Sequence, residues 1–262
     1  MELVVCIKQV PDTETRIKIA ADGKSIDITG INWVVSPYDE NALEEALRIR
    51  ETKGEGGVAV MTLGPERAAS ALRSCLALGA DRAVHLQDPA LEGSDSLGTA
   101  RALAAAIRRS RFDLVLVGQQ GVGTDNSQVG PMLAELLDIP HVNVVTKLEI
   151  ANGKIRAHRQ IEGAVEVVEC PLPAVVTAQK GLNEPRYASL KGIMAAKKKP
   201  LERLGLQDLG LDAADVGAAG ARNRWTRLEL PPARQAGKIL DGEPEESTAE
   251  LVRLLRDEAK VI

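Results

Sequence analysis

Apolar runs and amphipathic stretches alternate along the first 137 residues of the chain. The runs VVCI, VAVM and LVLV are continuous, which is typical of strands buried on both faces. Strands are predicted over residues 3–10, 57–64, 81–87 and 112–118. Helices, recognised by their periodicity and end signals, are predicted over residues 37–54, 65–80, 96–110 and 128–137. This alternation predicts an α/β fold, a parallel sheet with helices on both faces.

The pattern changes after Pro140. Residues 142–170 alternate between apolar and polar positions, with an Asn-Gly turn at 152–153 and a second apex near Gly163, so antiparallel hairpins are predicted there. PAVVTAQ, residues 173–179, predicts one further buried strand.

The C-terminal part of the chain is poor in apolar residues from about residue 222, and it ends in a helix-like stretch over 249–259. A segment of this composition has little core of its own. We therefore predict an α/β domain over 1–221 and an extended C-terminal arm over 222–262 that packs on another chain.

Composition and charge exclude several classes of protein. The 262 residues are 44% hydrophobic but only 2% aromatic, so the core is predicted to consist of Val, Leu, Ile and Ala. The formal net charge of −4 gives no case for nucleic-acid binding. No secretion signal or membrane span is predicted, and we expect a cytoplasmic protein.

Scattered cysteines and histidines give no metal site. The three thiols, which have no paired spacing, are Cys6, Cys75 and Cys170. The three histidines, which lie far apart on predicted strands or their ends, are His85, His141 and His158. We interpret the cysteines as core residues in a reducing compartment and the histidines as single structural or surface residues.

The stretch GQQGVGTDNSQVGPMLAELL, residues 118–137, joins a predicted strand to a predicted helix. Gly121 and Gly123 allow close approach of the backbone to a ligand, and Asp125, Asn126 and Ser127 are candidate helix caps. Free N–H groups at a helix start suit a phosphate. The stretch matches neither G-x-G-x-x-G nor the P-loop, and it contains no nucleophile motif or catalytic triad. Two interpretations stay open: an adenosine or nucleotide phosphate site, and a loosened turn without a ligand.

A basic segment occupies residues 181–204 of this acidic chain. A helix over about 187–198 would place Leu190, Ile193 and Met194 on one face. Its positive charges come from Lys191, Lys197, Lys198, Lys199 and Arg203. Either the apolar face packs on its own domain, or it docks an acidic partner while the lysines speed the encounter.

Together these stretches resemble the β subunit of electron transfer flavoprotein. The matching pieces are CIKQVPD, SPYDENALEEALRIRE, LGPERAASALRSCLALGADRAVHL, DLVLVGQQ, TDNSQVGPMLAELL, LPAVVTAQKGLNEPRYASLKGIMAAKKK and ELVRLLRDE, in family order from about residue 3 to 259. The most distinctive piece is LNEPRYASL followed by IMAAKKK.

The resemblance implies a nucleotide-binding α/β domain of the adenine nucleotide α-hydrolase-like, Rossmann-like kind, paired with an α subunit that holds most of the FAD site. It implies a structural AMP on this chain, and Tyr38 and Thr13 near the edge of the flavin. By position, the residues around the nucleotide would be Cys6, Lys8, Ser36, Pro37, Tyr38, Asp39, Leu63, Gln120, Gly121, Val122, Gly123, Thr124, Asp125, Asn126, Ser127, Gln128, Val129, Gly130 and Pro131.

The resemblance also implies an electron carrier in fatty acid β-oxidation and not an enzyme. Electrons would pass from acyl-CoA-type flavoprotein dehydrogenases, through the complex, to a quinone oxidoreductase. Residues 181–200 would form the partner-recognition loop, which favours docking over packing on the chain's own domain. Its partner-binding residues would be Leu190, Ile193, Met194, Lys197, Lys198 and Lys199.

Two alternatives remain at this stage. Electron-bifurcating relatives bind a second FAD in place of AMP and oxidise NADH. They have Gly where many simple carriers have Asp, and Thr124 occupies this position here. The second alternative is a stand-alone adenine-nucleotide-binding protein of the stress-protein type, which would bind no flavin.

Overall fold

The structure, a computed structural model, describes residues 1–233 and 236–262; residues 234 and 235, within the predicted arm, lie outside the described residues. The chain forms two compact units. The larger contains Met1–Ile17 and Ile28–Thr226, and the smaller contains Lys18–Asp27 and Arg227–Ile262. The boundary near the C-terminus therefore lies at residues 226–227, and an internal ten-residue segment belongs to the smaller unit.

Eleven strands form two sheets in the described part of the larger unit. In chain order the strands are β1 (Glu2–Cys6), β2 (Gln9–Pro11), β3 (Trp33–Val35), β4 (Gly57–Leu63), β5 (Arg82–Leu86), β6 (Leu114–Gly118), β7 (His141–Ala151), β8 (Lys154–Ile161), β9 (Ala164–Pro171), β10 (Ala174–Ala178) and β11 (Leu201–Leu204). The main sheet has the order β11-β5-β4-β1-β6-β10-β7-β8-β9, and β2 pairs with β3 in a separate antiparallel ribbon.

Helices cover both faces of the main sheet. The longer helices of the larger unit are α1 (Pro37–Lys53), α2 (Ala69–Leu78), α3 (Ser96–Ile107) and α4 (Val129–Leu137). The shorter ones are α5 (Leu190–Ala196), α6 (Leu206–Leu209) and α7 (Gly217–Gly220). Leu3 and Val5 of β1 pack in the same buried cluster as the leucines of α1 and α2, whereas Val4 and Cys6 pack with those of α3 and α4. Strands buried on both faces need continuous apolar runs, and the predicted α/β fold is confirmed.

The predicted hairpins are present, and they extend the main sheet. β7 pairs in parallel with β10 and antiparallel with β8, which in turn pairs antiparallel with β9. Asn152 and Gly153 connect β7 to β8 with φ values of +51° and +71°. Two consecutive positive φ values are what a type I′ turn requires, so the Asn-Gly signal has its expected structure.

Several predicted boundaries were wrong. The predicted strand over 3–10 divides into β1 and β2, because the chain turns away from the sheet after Cys6 to pair with β3. The predicted helix over 65–80 begins with a 3₁₀ turn at Glu66–Ala68. The helix of the basic segment is only α5, and β11 follows it as an edge strand. β3 and β11 have three and four residues, too short for a clear periodicity.

The smaller unit has little regular structure among its described residues. Ile19 and Ile26 form an isolated bridge, and the N–H of Leu228 donates to the carbonyl of Gly23 at 2.8 Å. Helix α8 spans Pro244–Arg253 and continues as a π-helical turn over Leu254–Glu258. It starts before the predicted residue 249, because Pro244 is favoured in a first helical turn. None of the helices in the described parts of the chain has the length and apolarity to cross a membrane.

Candidate functional site

A cleft lies where the order of the parallel strands reverses. β1 is flanked by β4 on one side and β6 on the other, so the segments that follow β1 and β6 diverge at the carboxyl edge of the sheet. Open parallel sheets bind ligands at such a switch point. The cleft has a volume of about 710 Å³, which lies in the range of cofactor sites.

Predicted nucleotide residues from four separate segments meet in this cleft. Those that line it are Cys6, Lys8, Asp39, Leu63, Gln120, Gly121, Thr124, Asn126, Ser127, Gln128, Val129 and Gly130. The remaining predicted residues lie in the same segments but outside the lining, and they are Ser36, Pro37, Tyr38, Val122, Gly123, Asp125 and Pro131. Sequence positions more than 100 residues apart therefore share one cavity.

Asp39 joins the ends of β1 and β6 beneath the cleft. Its carboxylate accepts hydrogen bonds from the backbone N–H of Lys8 at 2.7 Å and from that of Gly118 at 2.8 Å. Burial raises the pKa of Asp39 to about 7, and the two backbone hydrogen bonds oppose this shift only in part. Gly118 has no room for a side chain, because a Cβ there would lie 2.4 Å from Oδ1 of Asp39. Asp39 therefore holds the two strand ends in register.

Lys8, which follows β1, extends its positively charged side chain to the loop after β6. Its Nζ donates to Oγ1 of Thr124 at 2.9 Å, and its aliphatic part fills the space in which a Cβ of Gly121 would lie, with Cδ at 2.5 Å. Burial lowers the pKa of Lys8. Residue 121 must therefore be glycine, because the side chain of Lys8 packs closely against it in the cleft.

The loop over residues 118–128 carries an unusual backbone. Asp125 and Ser127 have φ values of +47° and +52°, and Gly123 has +92°. Non-glycine residues in this region are strained, and such strain concentrates at functional sites. The N–H of Asp125 donates to the carbonyl of Gly121 at 3.0 Å, which closes a tight turn.

The expected caps of helix α4 are absent among the described residues. The N-cap is Gln128, without a side-chain cap hydrogen bond, so the prediction that Asp125, Asn126 or Ser127 caps this helix was wrong. Asp125 instead accepts from Gln120 at 2.9 Å, and Asn126 donates to Ser96 at 3.2 Å, because the turn of the loop directs them away from α4. The N–H groups of Val129 and Gly130 in the first turn of α4 therefore have no side-chain cap, and both residues line the cleft. Free N–H groups at a helix start are suited to an anion.

The opposite wall of the cleft comes from residues that the sequence analysis missed. They lie at the start of α3 and in the segment before the smaller unit, and they include Ser94, Asp95, Ser96, Thr99, Asn223, Arg224 and Trp225. Asp95 caps α3 by accepting from Gly98 N–H at 2.9 Å, and its other oxygen accepts from Arg222 N–H at 2.8 Å. The Asp-Ser pair is a helix-start signal, but nothing in the sequence brings residues 222–225 to it.

The chemistry of the lining suits binding better than covalent catalysis. Burial raises the pKa of the Cys6 thiol to about 12, so this cysteine offers an apolar surface and not a thiolate. The described residues contain no group of three or more His, Cys, Asp or Glu side chains that could hold a metal ion. Open space surrounds the Cα of Gly123, where a Cβ would meet nothing within 4 Å. The lining combines polar loop residues such as Asn126 and Ser127 with apolar side chains such as Leu63.

The basic segment forms a second exposed feature. Leu190 is 84% exposed, Met194 is 66% exposed and Ile193 is 45% exposed, so the apolar face of α5 does not pack on its own domain. The opposite face does, because a Cβ on Gly192 would lie 2.3 Å from the carbonyl of Ala77 in α2. Tyr187, which precedes α5 by three residues in the sequence, is almost fully exposed. We call Tyr187, Leu190, Ile193 and Met194 the apolar patch.

The neighbouring lysines differ in their surroundings. Lys197 and Lys198 are exposed. Lys199 turns inward, and its Nζ donates to the carbonyls of Leu76 at 3.0 Å and Ala80 at 2.6 Å. A cation suits the C-terminal end of α2, where carbonyl groups lack helical partners. The charge of Lys199 is therefore directed at α2 and not at the surface.

Helix α1 holds the base of the basic segment. Asn183 and Asn41 exchange hydrogen bonds through side-chain amides, with Asn183 Nδ2 donating to the Asn41 carbonyl at 3.0 Å. Arg186 binds Glu44 at 2.7 Å and Glu51 at 2.5 Å. Burial alone would raise the pKa of Glu44, but hydrogen bonds from Arg186 and Arg48 lower it below its ordinary value. The helix that supplies Asp39 to the cleft thus also fixes the segment that presents the apolar patch.

The fold and the cleft define an α/β protein with a ligand crevice at the switch point of a parallel sheet. Comparison with known proteins gives a narrower class. The electron transfer flavoprotein domain family matches residues 25–209, and the chain belongs to this family.

Relatives match this chain over nearly its full length. It is 47% identical over 264 residues to the electron transfer flavoprotein subunit beta of Bacillus subtilis, with 100% of both chains covered. It is 42% identical to the subunit beta of Thermoanaerobacterium thermosaccharolyticum, covering 97% of this chain and 98% of the relative. It is also 40% identical to the caffeyl-CoA reductase-Etf complex subunit CarD of Acetobacterium woodii, covering 92% of each. These matches confirm the resemblance to β subunits and an electron-transfer role.

Proposed function

We propose that this chain is the β subunit of a heterodimeric electron transfer flavoprotein that carries electrons from acyl-CoA-type flavoprotein dehydrogenases to a quinone oxidoreductase. The end-to-end match to proteins named as β subunits supports this assignment and, with it, an α partner. FAD, held mainly by the α subunit, supplies the isoalloxazine that takes up and releases electrons. This chain is then a carrier subunit and not an enzyme, with a cytoplasmic location.

The cleft is the proposed site of AMP. The observation that carries this proposal is the convergence of Lys8, the 118–128 loop and the uncapped start of α4 on one cavity of about 710 Å³. The phosphate would bind at the first turn of α4 and near Lys8, where N–H groups and a positive charge favour an anion. The base would lie against Cys6 and Leu63. Bound AMP would act structurally, by joining the ends of β1 and β6.

The remaining predicted roles concern surfaces. We propose that half-buried Tyr38 and exposed Thr13 cover the edge of the flavin on the partner subunit. We propose that the apolar patch enters a pocket on a dehydrogenase, with Lys197 and Lys198 steering the encounter. The arm over 222–262 would pack on the α subunit, because exposed Ile239, Val261 and Ile262 have no core of their own in the described structure.

One alternative function has a specific observation in its favour. The Acetobacterium woodii relative, 40% identical to this chain, is named as a subunit of a caffeyl-CoA reductase–Etf complex, so a close relative of this chain is part of a reductase complex. By analogy, this chain would bind a second FAD in the cleft and take part in NADH oxidation with electron bifurcation. Family membership leaves little support for a stand-alone stress-type nucleotide binder.

Co-expression with a candidate α subunit tests the proposed function. The account expects a yellow two-chain complex that accepts electrons from an acyl-CoA dehydrogenase and shows no NADH oxidation. Rapid NADH oxidation by the purified complex would favour the bifurcating alternative. A colourless, single-chain protein would contradict both.

A further inference from the structure

A buried hydroxyl lies in the strand next to the cleft. Thr177 of β10 is 1% exposed, in a run of alanines and valines. The pairing of β10 with β7 shifts register at this point, with Val176 opposite Val142 but Ala178 opposite Val145. The extra residue, Val144, has a φ of +61°, which is a genuine outlier for a β-branched side chain.

Thr177 receives the hydrogen bond that this bulge frees. The N–H of Val144 donates to Oγ1 of Thr177 at 2.9 Å, in place of a strand carbonyl. The hydroxyl of Thr177 in turn donates to Oε1 of Gln119 at 2.7 Å. One hydroxyl therefore connects the bulge of β7 to the first residue after β6.

The hydrogen bonds continue through the loop in one direction. Gln119 Nε2 donates to Ser127 Oγ at 3.3 Å, Ser127 Oγ donates to Gln120 Oε1 at 3.2 Å, and Gln120 Nε2 donates to Asp125 Oδ1 at 2.9 Å. Each side chain between the two ends, Thr177, Gln119, Ser127 and Gln120, accepts once and donates once, so the bonds can polarise one another. We call the chain from Val144 to Asp125 the loop relay. It holds both Asp125 and Ser127, the two non-glycine residues of the loop with positive φ.

Thr177 also contacts the helix that follows the loop. A Cβ on Gly130 would lie 2.6 Å from Cγ2 of Thr177, so the first turn of α4 rests directly on this side chain. One residue thus contacts the loop through its hydroxyl and the start of α4 through its methyl group.

We propose that Thr177 is a positioning residue for the cleft: through the loop relay it holds the 118–128 loop and the first turn of α4 in the conformation that binds a nucleotide phosphate. This inference rests on the proposed AMP site, which Thr177 itself does not line. Its hydroxyl acts through Gln119, whereas its methyl group only packs beside Gly130.

Two matched substitutions test the proposal in the full chain co-expressed with its α subunit. Thr177→Val keeps the shape and removes the hydroxyl, whereas Thr177→Ser keeps the hydroxyl and removes the methyl group. After removal of bound nucleotide, AMP is titrated by calorimetry, and backbone hydrogen exchange is followed in residues 118–131 and in β1 and β4. We expect AMP to bind Thr177→Val about tenfold more weakly, equivalent to about 1.4 kcal/mol, and Thr177→Ser within about threefold of the wild type.

Hydrogen exchange separates positioning from a loss of general stability. The proposal expects faster exchange in residues 118–131 of Thr177→Val, with β1 and β4 unchanged. Equal AMP affinity in Thr177→Val and the wild type, or uniformly faster exchange, would overturn it. If the wild type itself fails to bind AMP, the proposed AMP site is wrong. Hydrogen exchange in residues 118–131 of Thr177→Val then shows by itself whether the loop relay holds the loop. Should Thr177→Val not fold, Gln119→Met cuts the relay one link further on and is expected to accelerate the same exchange.

Discussion

The side-chain nitrogen of Lys8 donates a 2.9 Å hydrogen bond to the hydroxyl of Thr124, and this contact joins the end of β1 to the loop after β6. Thr124 Oγ1 also lies 3.2 Å from the carbonyl of Gly121, to which it donates. Thr124 therefore fixes the lysine and fills part of the cleft. Both effects bear on the size of the nucleotide that the cleft accepts.

Replacing Thr124 by Gly should shift the bound nucleotide from AMP towards FAD. The substitution removes the acceptor of Lys8 and leaves more room in the cleft for a larger ligand. We expect a larger share of FAD relative to AMP per complex, measured by chromatography of acid-released nucleotides. Thr124→Ser retains the hydroxyl and should keep the wild-type composition. An unchanged AMP share in Thr124→Gly would show that Thr124 does not select the ligand.

Leu190→Ala should impair electron transfer from a dehydrogenase without loss of flavin. Leu190 is 84% exposed, so its truncation leaves no cavity in this chain. Truncation of an apolar anchor at an interface commonly costs more than about 1 kcal/mol, so we expect the dehydrogenase to bind about tenfold more weakly. Steady-state transfer rates at varied dehydrogenase concentration measure this, with Leu190→Met as a control near the wild type. Lost flavin with unaltered docking would count against the proposal.

Adjacent lysines should respond differently to the same substitution. The double variant Lys197→Gln/Lys198→Gln should associate more slowly with a dehydrogenase and depend less on ionic strength, because exposed charges act mainly on the association rate. Lys199→Gln is the matched control. It removes the positive charge and shortens the donor that reaches the carbonyls of Leu76 and Ala80, so it should lower the free energy of unfolding by about 1 kcal/mol and leave the salt dependence unchanged. Stopped-flow mixing at several salt concentrations and urea unfolding separate the two effects. Identical behaviour of all three lysines would refute the distinction.

Asp39 should make the protein less stable as pH rises from about 4 to about 7. Burial raises the pKa of Asp39 to about 7 in the folded chain, whereas an unfolded aspartate has a pKa of about 3.9. Between these values the folded state binds a proton that the unfolded state has lost, so the free energy of unfolding falls with increasing pH. Urea unfolding at about pH 5 and about pH 8 should show this decline in the wild type and a smaller one in Asp39→Asn. Parallel pH profiles of the two proteins would contradict the buried, protonatable carboxyl.

Much of the α/β core was predictable because burial on both faces of a strand leaves a continuous apolar run, as in β1, β4 and β6. The edge strand β11 was not, since LERL buries only part of its length and carries no periodic signal. The loop side of the cleft was also predictable, from Gly121 and the helix start that follows it. The wall formed by Asp95 and Trp225 depends on a contact across about 130 residues of chain, which no local pattern encodes.

The basic segment shows the same limit at the level of single side chains. Its sequence left two interpretations of Leu190 open, and the exposure of the side chain favours docking. Lys197, Lys198 and Lys199 are identical in sequence terms, yet only Lys199 reaches the end of α2. Thr177 in PAVVTAQ carried a usable signal, because a buried hydroxyl in an apolar strand requires hydrogen-bond partners.

Native mass spectrometry of the purified two-chain complex counts the ligands bound to intact protein, and so decides whether this chain carries AMP beside a partner that carries FAD. We expect the mass of the two chains plus one FAD and one AMP, and loss of AMP alone in variants of the 118–128 loop. Two FAD molecules without AMP, or no adenine nucleotide at all, would contradict it.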